Sequence, residues 1–118
     1  MLDMAKQVSL YLPLVMTYQE QPQLDALGDP TRRAILDQLL NGPMPVGELA
    51  RAFPVSRPAI SQHLRVLKSA HLVVDRPAGN RRIYELNPAG VEAMRTYFDR
   101  FWTNALAAFK HAAERLEP

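Results

Sequence analysis

The sequence predicts a mainly α-helical fold carrying one small β-hairpin. Three patterns predict it. Apolar residues recur at helical spacing in four segments between residues 21 and 70. Residues 72 to 86 then switch to β-branched and aromatic side chains. Helical spacing returns after Asn87 and runs to the end of the chain.

QPQLDALG (21 to 28) reads as a short helix stopped by Gly28. In DPTRRAILDQLL, Asp29 is a suitable N-cap and Pro30 a suitable first helical residue, because the N–H that proline lacks has no helical partner there. Ile35, Leu36, Leu39 and Leu40 form the stripe expected to be buried, and Asn41-Gly42-Pro43 stop the helix. Met44-Pro45 reads as a short extended piece. VGELARAF (46 to 53) reads as a helix with Val46, Leu49, Ala50 and Phe53 on one side. Pro54-Val55 make the turn into the next helix.

That next stretch is SRPAISQHLRVLKSA, 56 to 70, with Ser56 as N-cap and Pro58 in the first turn. At about 100° per residue, Arg57, Lys68, Ser61, Arg65, Pro58 and Gln62 span roughly 0° to 140°. Val66, Ala59, Ala70, His63, Leu67, Ile60 and Leu64 fill roughly 180° to 340°. One face can pack; the other is a row of donors without an acid. His63 lies in the apolar arc and is expected to be a packed histidine, while His71 ends the helix.

LVVDRP (72 to 77) and RRIYEL (81 to 86), joined by Ala78-Gly79-Asn80, read as a hairpin. Asn87 and Pro88 then open a long last helix. Val91, Met94, Phe98, Phe101, Ala105, Phe109, Ala112 and Leu116 recur along it at about 3.5-residue spacing. A helix on the order of 40 Å long cannot be covered by three short helices and a hairpin. Its expected cover is a second copy of the chain. Helix, helix, turn, helix and two-stranded wing, in that order, make a winged helix-turn-helix.

The chain has 118 residues, one small domain's worth, and no cysteine. Disulfides, thiolate metal ligands and thiol nucleophiles are therefore excluded, and an intracellular setting is expected. Net charge is +2, but it is unevenly spread. Residues 51 to 82 hold seven Lys/Arg against one acid, Asp75, a net of +6; the remainder holds seven against eleven, a net of −4. Such a local positive field is the footprint of a nucleic-acid surface. VSLYLPLVM (8 to 16) is too short for a membrane span and is broken by Pro13; no signal peptide is expected around it. Three scattered histidines and no phosphate loop leave no enzyme mechanism to assemble.

ALGDPTRRAILDQLL, VGELARAFPVSRPAISQHLRVLKSAHLV and the wing ending in RRIYEL together resemble the ArsR family of bacterial dimeric transcriptional repressors. The match covers roughly residues 22 to 86, and the last helix fits the family's dimerisation helix. The resemblance implies a homodimer, pairing through the last helix and N-terminal segments, with the 56–70 helix in the major groove of double-stranded operator DNA. The family is known for metal sensing, and here the sequence departs from it. Val46-Gly47-Glu48-Leu49 stands where one sensor type carries C-x-C, and Phe101 stands where another carries the histidine of D-x-H. His111 and Glu114 match H-x-x-E, but with Asp99 they make an incomplete zinc site, so no metal and no cofactor is expected.

The expected organisation is an extension over 1–20, a DNA-binding domain over 21–86 and a dimerisation helix over 87–118. Arg57, Ser61, Gln62 and Arg65 are the candidates for base-edge contact; Arg pairs bidentately with guanine and Gln with adenine. Lys68 is expected at phosphate, as are Arg76, Arg81 and Arg82 around the wing tip. Arg81 and Arg82 cannot share a face if the strand has begun there. Of Arg32 and Arg33, one is expected at phosphate and the other in an internal ion pair. Met94, Phe98, Phe101, Trp102, Ala105 and Phe109 are the candidate dimer contacts. The function expected is a sequence-specific repressor acting by promoter occlusion, with no membrane partner and no effector identified. The competing readings are a metal-responsive repressor using Asp99, His111 and Glu114, and a winged-helix protein-interaction module.

Overall fold

The computed structural model describes residues 21–116. The extension over 1–20 lies outside them. Eight elements follow in order: α1 (Gln21–Ala26), α2 (Pro30–Leu39), β1 (Met44–Pro45), α3 (Val46–Arg51), α4 (Arg57–Ser69), β2 (Val73–Ala78), β3 (Arg81–Leu86) and α5 (Pro88–Leu116).

Local chemistry sets the starts and stops. The Asp29 carboxylate accepts from Thr31 N (2.8 Å) and Arg32 N (3.1 Å), capping α2. Ser56 Oγ caps α4 through Ala59 N (3.3 Å), and Asn87 Oδ1 caps α5 through Ala89 N (3.1 Å). The end of α4 is a Schellman closure. Leu72 N donates to Leu67 O and His71 N to Lys68 O, both at 3.0 Å, with His71 left-handed at φ 59°. His71 thus ends the helix as expected. Arg32 and Arg33 both reach backbone carbonyls: Arg32 Nε donates to Ala26 O (2.7 Å) and Arg33 Nη1 to Leu27 O (2.6 Å). Two cations satisfy the orphan carbonyls at the end of α1.

The core lies where α2, α3 and α4 meet the sheet. Ile35, Leu49, Ile60, Leu64, Leu67 and Leu72 are fully buried there, with Leu36, Phe53, Tyr84 and Met94 packed around them. Two details differ from expectation. Leu40 is 72% exposed. It follows Leu36 on a line rotated about 100° from Ile35 and Leu39, so it rims an apolar groove with Leu86, Val91 and Met94 instead of entering the core. α3 stops at Arg51, not Phe53, because Pro54 disfavours helical backbone in the residue before it. Phe53 still packs inward from the turn.

The hairpin is part of a larger sheet. β1 pairs with β3 (Met44 opposite Tyr84, Pro45 opposite Ile83), giving three antiparallel strands in the order β1-β3-β2. Proline is tolerated in such an edge strand. Ala78 and Arg81 close a two-residue turn with Gly79 at φ 64°, the left-handed first position that a hairpin of this length requires.

α5 leaves this domain after its first two turns. Gly90, in its first turn, is buried against the left-handed joint at His71. A Cβ there would lie 2.6 Å from the His71 carbonyl carbon, closer still to its oxygen, and 3.1 Å from Leu72 Cα. Asn87 N also donates to Leu72 O (2.9 Å). The last helix is therefore locked onto the end of α4. Among the described residues no helix is long and apolar enough to cross a membrane.

Candidate nucleic-acid interface

α3, the turn after it and α4 form a helix-turn-helix, and packing decides which side of α4 faces out. Ile60, Leu64 and Leu67 anchor one side in the core. Arg57, Gln62, Arg65 and Lys68 are consequently exposed and Ser61 half-buried, on the donor face predicted from spacing. His63 is half-buried; with the backbone N–H groups of Arg32, the leading cause, and Thr31, it helps hold the Asp29 carboxyl below the usual carboxylate range.

The wing flanks this face. Pairing places Arg81 opposite Ala78 on the side of Arg76, and Arg82 opposite Pro77 on the side of Asp75. The two arginines point to opposite faces, as alternation demanded. Arg76 lies 3.9 Å from Glu85, a loose exposed pair. Between wing tip and helix-turn-helix runs a cleft of about 350 Å³, lined by Glu48, Arg51, Arg57, Asn80, Arg81 and Arg82. The sequence alone does not single out Arg51. It belongs to the basic segment, but its place at the end of α3 beside Arg57 is a tertiary fact.

Lys68 and Arg82 are not free. Lys68 Nζ sits 2.8 Å from Asp75 Oδ1, and Arg82 Nε sits 2.8 Å from Asp75 Oδ2. The Asp75 side chain is 7% exposed, those of Lys68 and Arg82 55% and 52%. The Lys68 hydrogen bond foremost, and then Arg82, hold the Asp75 carboxyl below the usual range against the opposing effect of burial. Sequence reading counted Asp75 only as the lone acid of a basic segment.

Beyond the domain, α5 carries its aromatic row into solvent. Phe98 and Phe101 are more than half exposed, Trp102 is 63% and Phe109 70%, with Leu106 beside them. Tyr97 meets Phe98 edge-on (5.5 Å) and stacks on Phe101 (6.5 Å). Met94 instead packs on the core, and Ala105 is half-buried. A contiguous apolar patch of this kind marks an interaction surface. Asp99 and His111 stand about 18 Å apart along the helix axis. Among the described residues no three His, Cys, Asp or Glu side chains are clustered to hold a metal ion.

A helix-turn-helix with an exposed donor face, a basic wing and a long terminal helix defines the winged helix-turn-helix class of regulators. Comparison narrows it. Residues 29–74 match the model of the arsR family of bacterial regulatory proteins. The chain is 64% identical over 84 residues to the HTH-type transcriptional regulator Rv2034 of Mycobacterium tuberculosis, covering 71% of this chain and 78% of that one. It is 47% identical over 62 residues to the transcriptional repressor SdpR of Bacillus subtilis, 52% of this chain and 69% of that one. Among solved structures it is similar to the homodimeric winged helix-turn-helix DNA-binding domain of Mb0332 from Mycobacterium bovis. The TM-score is 0.59 at 29% identity, over 99% of this chain and 94% of that one. The chain belongs to the ArsR family of bacterial regulatory proteins, and its role is regulatory rather than enzymatic.

Proposed function

We propose that the protein is a homodimeric, sequence-specific DNA-binding repressor that acts by occupying promoters. The observation that carries this is the outer face of α4: Arg57, Ser61, Gln62 and Arg65 in one row, without an acid, held outward by the burial of Ile60, Leu64 and Leu67 on the inner face. In this reading that row meets base edges in the major groove. Arg51, Arg76 and Arg81 set the register on phosphate, with Lys68 and Arg82 held at the edge of the contact. Residues 21–86 read DNA. The helix within 87–118 pairs two copies through Phe98, Phe101, Trp102, Ala105 and Phe109, with Met94 at the junction; burying an aromatic row is its driving force. Two α4 helices then enter successive major grooves about 34–36 Å apart, or a multiple of that. The setting is cytoplasmic, and the cycle needs no cofactor. The similarity to a repressor and to a homodimeric DNA-binding domain supports this reading.

The test is fluorescence anisotropy with duplexes selected from a randomised pool, against scrambled DNA, together with sedimentation of the free protein. A dimer that prefers selected duplexes, and loses that preference on Arg57→Ala, is expected. A monomer that binds both DNAs equally refutes the reading.

A further inference from the structure

Asp75 stands where the two parts of the DNA face meet. Lys68 comes from the last turn of α4 and Arg82 from the start of β3; one carboxylate holds both, one cation to each oxygen. The carboxylate is largely covered while its partners are half exposed, and each cation is already engaged by one of its oxygens, so neither is free to follow an approaching phosphate. Drawing either cation away would leave a largely covered carboxylate short of a partner, which is unfavourable. A generic phosphate contact returns only a salt-screened gain from counterion release. The bridge also ties the wing to the end of α4 at a set distance.

We propose that Asp75 is a specificity-setting residue of the DNA face: it withholds the charge of Lys68 and Arg82 from non-specific phosphate contact and fixes the wing relative to α4. This rests on the DNA-binding reading above. Asp75 itself touches no DNA in this role; it is a positioning residue that acts through its two cations. Non-specific binding gains from mobile cations that fit any backbone, whereas a specific complex needs them at fixed points.

The full-length dimer is titrated by anisotropy with scrambled and pool-selected duplexes over a salt series. Asp75→Asn keeps the shape and removes the charge. It is expected to steepen the log K against log salt slope on scrambled DNA by about 0.9, the value for one added phosphate contact. At 0.1 M salt that is about eightfold tighter non-specific binding. On the selected duplex the gain is smaller, so the specificity ratio falls. Arg82→Gln is expected to leave the scrambled-DNA slope within about 0.3 of wild type. A residue that merely supports the fold would weaken binding to both DNAs, and that result overturns the proposal, as does an unaltered slope in Asp75→Asn. If Asp75→Asn does not fold, Arg82→Gln decides alone: a slope lowered by about 0.9 places Arg82 already at phosphate and overturns it. A wild-type protein that binds no duplex at low salt brings down the DNA-binding reading itself, a result distinct from wild-type binding with unaltered variants.

Discussion

Replacing Gly90 by alanine sets two effects against each other. Helix propensity alone favours alanine by about 1 kcal/mol. The tertiary contact opposes it: the added Cβ would fall 2.6 Å from the His71 carbonyl carbon and 3.1 Å from Leu72 Cα. Both neighbours are backbone, and His71 is held left-handed by the two hydrogen bonds that close α4. Neither can turn aside as a long side chain would. Overpacking in such a place costs about 3 kcal/mol, the upper end of the usual range. The net loss is about 2 kcal/mol, a melting temperature roughly 8–16 °C lower for a domain of this size. Because α5 is the candidate dimer helix and His71 ends the candidate recognition helix, the same change tilts one against the other and weakens operator binding in the folded variant. Circular dichroism melts at fixed protomer concentration, with Gly47→Ala as control, read the first effect. A Cβ at Gly47 meets nothing within 4 Å, so that change is neutral or stabilising by about 0.5–1 kcal/mol. If Gly90→Ala melts at or above wild type, or the two variants behave alike, the reasoning is wrong.

Four further outcomes are expected. Because the folded-state pKa of Asp75 lies below the ordinary 3.8, its contribution to stability is present above that value and lost as pH falls through the depressed one. Urea midpoints should therefore separate wild type from Asp75→Asn at pH 6, and the gap should narrow as pH falls below 3.8. Phe101→Asp puts a charge into the exposed aromatic row and should raise the dimer dissociation constant at least about a hundredfold by sedimentation; an unchanged dimer would place the interface elsewhere. Arg57→Ala should cost about 1–3 kcal/mol of discrimination at one base pair, while Arg81→Ala should weaken all duplexes alike and lower the salt slope by about 0.9. Equal effects from both would refute the division into base-reading and phosphate-binding arginines. His71→Gly relieves a left-handed residue at φ 59° and should raise stability by about 0.5–1 kcal/mol; a lowered melting point would mean that the imidazole makes a contact worth more.

Much of the fold was legible because it is written in local chemistry. Asp29-Pro30, Ser56-Arg57-Pro58 and Asn87-Pro88 each supply a side-chain acceptor followed by a proline that suits the first turn, and each starts a helix where expected. The donor arc of residues 57–68 followed from 100° spacing, and the hairpin from Gly79 between two β-rich runs. Leu106 went unnamed because the 3.5-residue count passed through Ala105, although both lie on the exposed stretch of α5. Arg51 and Asp75 were visible only as entries in a charge count.

The sequence by itself determined the order of elements, the direction in which α4 presents its donors, and the presence of an aromatic helix too long for this domain to cover. Each depends on residues within a few positions of one another. Only the tertiary structure decided that Met44-Pro45 joins β3 some forty residues on, that Gly90 must lack a Cβ because the end of α4 lies against it, and that one largely covered carboxylate binds a helix lysine and a wing arginine together. Periodicity says which face of an element turns inward; what stands opposite depends on how distant elements pack, and that is a property of the assembled chain.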